Sequence, residues 1–454
     1  MKYKTLSNIS NINSKYNLFI YLLAIILIVS SSSISAVTTL TVEDVRIKAL
    51  EFNRAYLTAK EEVKKAESEV TIARSNGLPE IMLDGYYNRN IELPTFFFNT
   101  ADNETIEFTS GFKNDFGASI SLTQSLWSGN RVWNAVKVAN LYKKLALATN
   151  DQVKAEVIHN AEILFYTAIL NRSTLEVLNK EFDASSHNLE VVEKYHSQGM
   201  VSDFELLRAR VEKANLQPQI LQAESEVRLA DKRLNSYLGL DLETELILIE
   251  GSEDTRIFAL PIESQLVDSA LATRPEMHQA DLTTEISKRA VSIVKADYWP
   301  KLEAVSSYNW TAQSDRMTLS DNQVSSWTAG VNVSFPLFRG GKTRGNVKNY
   351  KAEHRKAILA QNEIIDQIKL EVEAAYDRMV QARKTLDIQE ETIQQAEEGF
   401  KIANLRYESG VGTQLEVLSA QAALTEARHA MSQAKFLFRQ AKSELKKVTT
   451  IDIN

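Results

Sequence analysis

The chain has 454 residues, of which 52 are basic and 59 acidic, giving a formal net charge of −7. This balance argues against a nucleic-acid binder, which would carry a concentrated basic patch. The absence of cysteine excludes disulfides, thiolate metal sites and a catalytic thiol. The sequence also lacks an HExxH motif, a glycine-rich phosphate loop and a GxSxG motif, so it predicts no enzyme, cofactor site or metal site.

The first 36 residues have the form of a secretory signal peptide. A segment with three lysines precedes an apolar run at residues 18–29, and small residues follow up to Ala36. This apolar run is shorter than the roughly 20 residues that a membrane-spanning helix needs. We therefore predict that residues 1–36 direct export and are removed.

Helical and strand patterns alternate through residues 37–260. A capping box at Thr41 opens a helical stretch that ends near residue 76. A strand hairpin is predicted at about residues 80–127, with its long connection at 91–114. Residues 130–198 contain neither glycine nor proline, which predicts one helix about 100 Å long.

The first half of the chain ends in a second helix and a segment that we expect to pack across the outside of the helices, which we call the equatorial segment. The helix is predicted from about residue 202 to residue 238, and Pro218 inside it predicts a kink or the loss of a backbone hydrogen bond near Ala214. The equatorial segment runs to about residue 260 and contains a strand-like stretch at 246–249.

The second half repeats the first. Leu126, Trp127 and Gly129 recur after an offset of 211 positions, as Leu337, Phe338 and Gly340. The second half again predicts a helix broken near Pro275, a hairpin at about 301–338, a long helix to about 409 and a final helix at 413–448. We therefore predict two structural repeats, residues 37–260 and 261–454.

The four strands alternate apolar residues with serine, threonine, glycine and asparagine. The helices are too long to fold back over an apolar sheet face, so the pattern favours a membrane β-barrel with lipid outside and water inside. Four strands cannot close a barrel, whereas three copies supply twelve strands and leave room for a pore. We therefore expect a homotrimer. Aromatic residues in or beside the strands are predicted to lie at the membrane interface: Trp127, Trp299, Trp310, Trp327 and Phe338.

The sequence resembles the TolC family of outer-membrane efflux and secretion channels. The matching segments are Leu40-Thr-Val-Glu-Asp-Val45, Arg274-Pro-Glu-Met277, Trp299-Pro300 and Phe335-Pro-Leu-Phe-Arg-Gly-Gly341. The resemblance implies a mainly α fold with membrane β structure: a trimeric twelve-strand β-barrel in the outer membrane of a Gram-negative bacterium, continued by a periplasmic α-helical barrel of coiled-coil helices.

The resemblance also implies a function and partners. The chain would be the exit channel of a tripartite efflux pump or a type I secretion system, docked to an inner-membrane transporter through a periplasmic adaptor. The alternative is a periplasmic coiled-coil adaptor or scaffold, which would explain the helices but not the strands. Drug, metal and protein cargo all remain open.

Finally, the resemblance implies a gate at the helix turns farthest from the barrel, which contain Gly199 and Gly410. The family's acidic gate positions fall on Glu205 and Glu416, and its tyrosine falls on Tyr407. Two positions depart from the family pattern, because Gly412 stands where an arginine could be and Ser419 where a second acid could be. Both glutamates also complete capping boxes, Ser202-x-x-Glu205 and Thr413-x-x-Glu416, so each has a local role compatible with gating.

Overall fold

The computed structural model describes residues 37–99, 104–251 and 262–451. The predicted signal peptide and most of the segment at 250–260 lie outside the described residues. The chain divides into two compact units, and each draws on both halves of the sequence. We call Met1–Ala49, Ala161–Asp254 and Thr392–Phe436 the turn unit, and Leu50–Asn160, Thr255–Glu391 and Leu437–Asn454 the sheet unit.

The described residues contain eight α-helices and eight strands. The helices are α1 Val42–Phe52, α2 Arg54–Ser75, α3 Arg131–Ser197, α4 Asp203–Tyr237, α5 Glu263–Thr273, α6 Pro275–Lys295, α7 Lys342–Glu408 and α8 Gln414–Thr449. The strands are β1 Thr38–Leu40, β2 Glu80–Arg89, β3 Thr95–Asn99, β4 Thr105–Thr109, β5 Asn114–Trp127, β6 Leu246–Leu248, β7 Lys301–Ser314 and β8 Gln323–Ser334.

Helix α3 forms where glycine and proline are absent, as predicted, whereas α7 continues through Gly345 and Gly399. Helices α3 and α7 each contain 67 residues, and α7 starts at Lys342, 211 positions after Arg131. Pro275 occupies the start of α6 and separates it from α5, also as predicted. Pro218 removes one backbone donor, but α4 continues through it.

The prediction of one helical stretch from Thr41 to residue 76 was wrong in one respect. Asn53 interrupts it, and its side-chain oxygen accepts hydrogen bonds from the backbone N–H groups of Ala55 and Tyr56. Asparagine is a favoured N-cap residue because its side chain satisfies donors that the new helix leaves free. The stretch is therefore two helices, α1 and α2.

None of the helices in the described ranges combines the length and apolarity that a membrane span requires.

In the sheet unit, four strands form one antiparallel sheet in the order β2-β5-β7-β8. Its register places the predicted apolar residues of all four strands on a single face; one row, for example, runs Leu83, Ile120, Tyr308, Trp327. This face is open, since the side chains of Leu83 and Trp327 are 73% and 77% exposed. No strand in the described residues pairs with the outer edge of β2 or of β8.

Two strand pairs were not predicted. The connection at 91–114 is not irregular throughout, because β3 and β4 pair antiparallel within it. Their phenylalanine, isoleucine and threonine residues have the side-chain shapes that favour strands. In the turn unit, β1 pairs in parallel with the predicted strand β6. Arg172 in α3 supports this pair by donating to the carbonyl of Leu246 at 3.0 Å.

The junction between β5 and α3 requires a glycine. Gly129 has φ +63°, and a Cβ atom there would lie 2.9 Å from the carbonyl oxygen of Ala296. Gly340, at the corresponding position of the second half, has φ +55°, but a Cβ atom there would meet nothing within 4 Å among the described residues. The first junction is therefore both conformationally and sterically restricted.

We predict that Gly129→Ala destabilises the protein more than Gly340→Ala. Both substitutions carry the cost of a positive φ, about 1–3 kcal/mol, but only the first also forces backbone atoms apart. Thermal unfolding of the two variants beside the wild type measures the difference. Equal midpoints for the two variants would contradict the close approach at Gly129.

Candidate functional site at the helix turns

The two helix turns of the turn unit have the same backbone geometry. Gly199 has φ +72° and donates to the carbonyl of His196 at 2.9 Å, and Gly410 has φ +75° and donates to the carbonyl of Tyr407 at 3.0 Å. In each turn the following residue donates to a carbonyl one position further back, on Tyr195 and Arg406. Glycine suits such helix ends because its positive φ carries no steric cost.

Glu205 is occupied in a complete capping box at the start of α4. Its carboxylate accepts from the backbone N–H of Ser202 at 3.0 Å, and its own N–H donates to the Ser202 hydroxyl at 3.4 Å. The predicted capping role is therefore present. The carboxylate still carries a negative charge at the tip of the turn.

Glu416 is placed differently. Its backbone N–H donates to the Thr413 hydroxyl at 3.3 Å, but its carboxylate lies 3.7 Å from the guanidinium of Arg406. Both side chains of this pair are about half exposed, so solvent weakens the attraction. The pair links the end of α7 to the start of α8.

Tyr407 connects the two turns. Its ring lies 6.0 Å from the ring of Tyr195, at the end of α3. Its hydroxyl is buried and has no hydrogen-bond partner in the described part of the chain. Burial raises the pKa of the Tyr407 phenol, and the charge of Glu205 and the neighbouring Tyr195 add to the rise. A second link joins the turns, because the Gln414 amide donates to the backbone carbonyl of Glu205 at 3.4 Å.

Gly412 cannot be replaced by a longer residue without movement of the turn. A Cβ atom there would lie 3.0 Å from the backbone nitrogen of Tyr407 and 3.1 Å from the carbonyl carbon of Arg406. The family pattern could place an arginine at position 412, where this chain has glycine. Arg406, on the same turn, supplies a guanidinium there instead. Ser419 is exposed and uncharged.

Sequence reasoning missed Arg406, Tyr195 and Gln414. Each lies next to a residue or turn that was singled out, but sequence adjacency does not reveal a contact between α3 and α7. The internal repeat gave no signal for Tyr195, because it pairs this residue with Arg406, which was missed as well. Tyr195 and Arg406 occupy equivalent positions of the two turns, 211 positions apart.

The predicted interface aromatics fall into two groups in the sheet unit. Trp127 and Trp299 contact edge to face, with ring centroids 6.0 Å apart, and Phe338 follows the end of β8. Trp310 and Trp327 lie further along β7 and β8, and the Trp327 indole donates to the Ser306 hydroxyl at 3.0 Å. Eight residues of strand, or roughly 26 Å, separate Trp310 from Leu302 at the first group.

The described residues contain no group of three or more histidine, aspartate and glutamate side chains arranged to hold a metal ion.

We predict that the Tyr407 phenol titrates above its ordinary pKa of 10.0. A raised folded-state pKa means that the neutral phenol stabilises the turn at lower pH, and that this stabilisation is lost as the pH rises through the folded pKa. Ultraviolet difference titration of wild type against Tyr407→Phe isolates this one tyrosine. A midpoint at or below the ordinary value would contradict the burial of the phenol.

In the same titration, Glu205→Gln should lower the midpoint, because it removes the negative charge that opposes ionisation while keeping an amide able to cap α4. An unchanged midpoint in this variant would show that Glu205 does not act on Tyr407.

Comparison with known proteins identifies the family. The model of the outer membrane efflux protein family matches residues 46–240 and 266–450. The pyoverdine export outer membrane protein OpmQ of Pseudomonas aeruginosa is 22% identical over 390 residues, covering 84% of this chain and 78% of that protein. The outer membrane protein TolC of Vibrio cholerae is 20% identical over 438 residues, covering 92% of this chain and 94% of that protein.

Solved structures share the fold. The Campylobacter jejuni CmeC outer membrane channel superimposes with a TM-score of 0.76 at 18% identity, over 90% of this chain and 85% of that one. The outer membrane protein VceC of Vibrio cholerae gives a TM-score of 0.73 at 16% identity, over 91% and 97%. These likenesses confirm the predicted fold class. The chain therefore belongs to the outer membrane efflux protein family: it is an outer-membrane exit channel of efflux pumps with a large periplasmic part, as predicted, and not an enzyme.

Proposed function

We propose that three copies of this chain close into one exit duct, entered from the periplasm at the helix turns that contain Gly199 and Gly410. The observation that carries the proposal is the open four-stranded sheet. Its edge strands β2 and β8 run antiparallel to each other, because all neighbouring strands in the sheet are antiparallel. The β8 edge of one copy can therefore pair with the β2 edge of the next.

The membrane requires such closure. Unpaired backbone N–H and C=O groups cannot face hydrocarbon, so neither edge can remain free in the bilayer. Two copies would give eight strands, whose interior side chains fill, whereas three give twelve strands and a pore. A homotrimer thus satisfies the edges and supplies a conduit.

A groove beside α2 and α3 supports contact between copies. It has a volume of about 860 Å³ and lies in the sheet unit. Its walls carry many alanines, including Ala59, Ala66 and Ala73 of α2 and Ala139 of α3. Small side chains let a helix backbone approach closely, so a helix of a neighbouring copy fits this groove.

The two aromatic groups are consistent with a membrane-spanning position of the sheet. A barrel presents an apolar outer band about 25 Å tall with aromatic residues at both interfaces. Trp127, Trp299 and Phe338 would mark the periplasmic interface, where strands become helices. Trp310 and Trp327 would lie toward the outer interface.

Two repeats account for the organisation of each copy. The proposed repeats are residues 37–260 and 261–454, each with two strands of the sheet, one 67-residue helix and one helix after the turn. The single family model matches once within each half, which supports this division. Residues 1–36 would be the export signal.

At the entrance, three-fold symmetry would bring Glu205 and Glu416 into rings of negative charge. Such rings favour cations over anions near a constriction. The contacts Tyr407–Tyr195 and Gln414–Glu205 hold the two turns of each copy together. Opening would then separate these contacts and the Arg406–Glu416 pair.

Channels of this family work with a periplasmic adaptor and an inner-membrane pump. The helix turns, at the entrance, are the part of this chain that we expect such partners to open.

Crosslinking should reveal the contact between copies. The chain has no cysteine, so two introduced cysteines supply its only thiols. We expect Ser326→Cys in β8 to crosslink between chains with one of Asp84→Cys, Tyr86→Cys or Asn88→Cys in β2, giving covalent trimers on a denaturing gel. The control is Ser119→Cys with Asn309→Cys, which are directly paired within one chain. Intrachain product in the control and no interchain product in any β2–β8 pair would contradict closure through these edges.

Ion selectivity should report the acidic rings. In planar bilayers, the Glu205→Gln/Glu416→Gln variant should lose the cation preference of the wild type, because the rings are then neutral. Glu205→Asp/Glu416→Asp keeps the charges and should keep the preference. Equal reversal potentials for the wild type and the glutamine variant would contradict the proposed place of these residues.

A further inference from the structure

The hairpin of β3 and β4 carries an apolar face that nothing in the described residues covers. Its register pairs Phe96 with Phe108 and Phe98 with Ile106, so these four side chains share one face. Each of them is between 49% and 59% exposed. Contiguous exposed apolar surface of this kind marks a site of interaction.

The opposite face of the hairpin is mostly polar. The hydroxyls of Thr95 and Thr109 lie 3.3 Å apart, and the Thr105 hydroxyl donates to the Asn99 amide oxygen at 3.1 Å. Glu107 lies on this face beside Phe97, the one apolar exception. A two-stranded hairpin is marginally stable in water on its own, so an apolar surface against one face would stabilise it.

The hairpin is attached directly to the membrane strands. Asn90, just after β2, donates from its backbone to the carbonyl of Lys113 at 2.8 Å and from its side chain to that of Phe112 at 2.8 Å. Closer to the hairpin, Ser110 donates to the carbonyl of Pro94 at 3.0 Å. The two arms thus stay together between the sheet and the hairpin.

The apolar face therefore begins close to the lipid-facing surface of the sheet. Tyr87 and Phe116 lie at the outer end of β2 and β5, on the apolar face of the sheet, with their rings stacked 4.8 Å apart. Five residues separate the end of β2 from the start of β3, and they can span at most about 18 Å. The hairpin is within reach of the bilayer surface.

We propose that the β3–β4 hairpin lies on the outer leaflet of the membrane and inserts Phe96, Phe98, Ile106 and Phe108 among the lipid acyl chains. The occupant of the face is lipid because the hairpin continues the lipid-facing strands of an outer-membrane protein. Aromatic and aliphatic side chains on one face and polar groups on the other are the arrangement that interfacial segments use. The hairpin would anchor the outer rim of the channel.

Fluorescent labelling of adjacent positions tests the insertion. Single cysteines are placed by Phe98→Cys on the apolar face and by Phe97→Cys on the opposite face, and each carries a nitrobenzoxadiazole label. Ile106→Cys is a second position on the apolar face, in case one replacement disturbs the hairpin. The full-length proteins are reconstituted into vesicles of phosphatidylethanolamine and phosphatidylglycerol, with or without doxyl-labelled phosphatidylcholine.

Insertion predicts that doxyl lipid quenches the labels at 98 and 106 several-fold more than the label at 97, and that aqueous iodide quenches them less. Equal iodide quenching at 97 and 98, without lipid quenching, would overturn the proposal in favour of a solvated hairpin. Labels at 98 that are shielded from both quenchers and quench one another would overturn it in favour of contact between copies of the hairpin. Conductance in the same vesicles tests the channel separately, since the hairpin lies outside the membrane strands.

Discussion

The structure depends on one constraint, the need to pair every backbone N–H and C=O group that faces lipid. The sheet of four strands satisfies this constraint within itself but leaves β2 and β8 with open edges. The antiparallel order of the strands makes these two edges complementary. Under the proposed closure, oligomer formation and the pore would both follow from pairing these edges.

The second determinant is the equal length of the helices. Helices α3 and α7 each have 67 residues, and their turns repeat the same pair of backbone hydrogen bonds 211 positions apart. Within the turn unit, Tyr195 meets Tyr407 and the Gln414 amide meets the Glu205 carbonyl. An insertion in one helix alone would separate these contacts.

Local chemistry made much of the fold predictable. The absence of glycine and proline predicted α3, and the internal repeat predicted α7. Pro275 predicted the break before α6, and alternation predicted which strand residues share a face. Contacts between distant segments were not predictable in this way. The approach of Gly129 to Ala296 depends on backbone positions that no sequence pattern encodes. The β3–β4 pair was missed because a short run of phenylalanines inside a polar connection has no clear period.

At the candidate entrance, too, some residues were predictable from the sequence and others were not. Its glycines followed from the repeat and its glutamates from the family resemblance, and the structure places both at the turns. Its connecting residues, Tyr195, Arg406 and Gln414, follow only from contacts within and between the two turns. Glu205 can both cap the start of α4 and contribute charge at the candidate entrance, since its capping bonds leave its charge in place beside Tyr407.

If three copies close the open sheet, the protein in the outer membrane is a complex of three chains. Native mass spectrometry of the protein, extracted from the outer membrane in mild detergent, measures the number of chains directly. We expect a complex with three times the mass of the processed chain. A complex of one or two chains that still conducts ions in bilayers would contradict it.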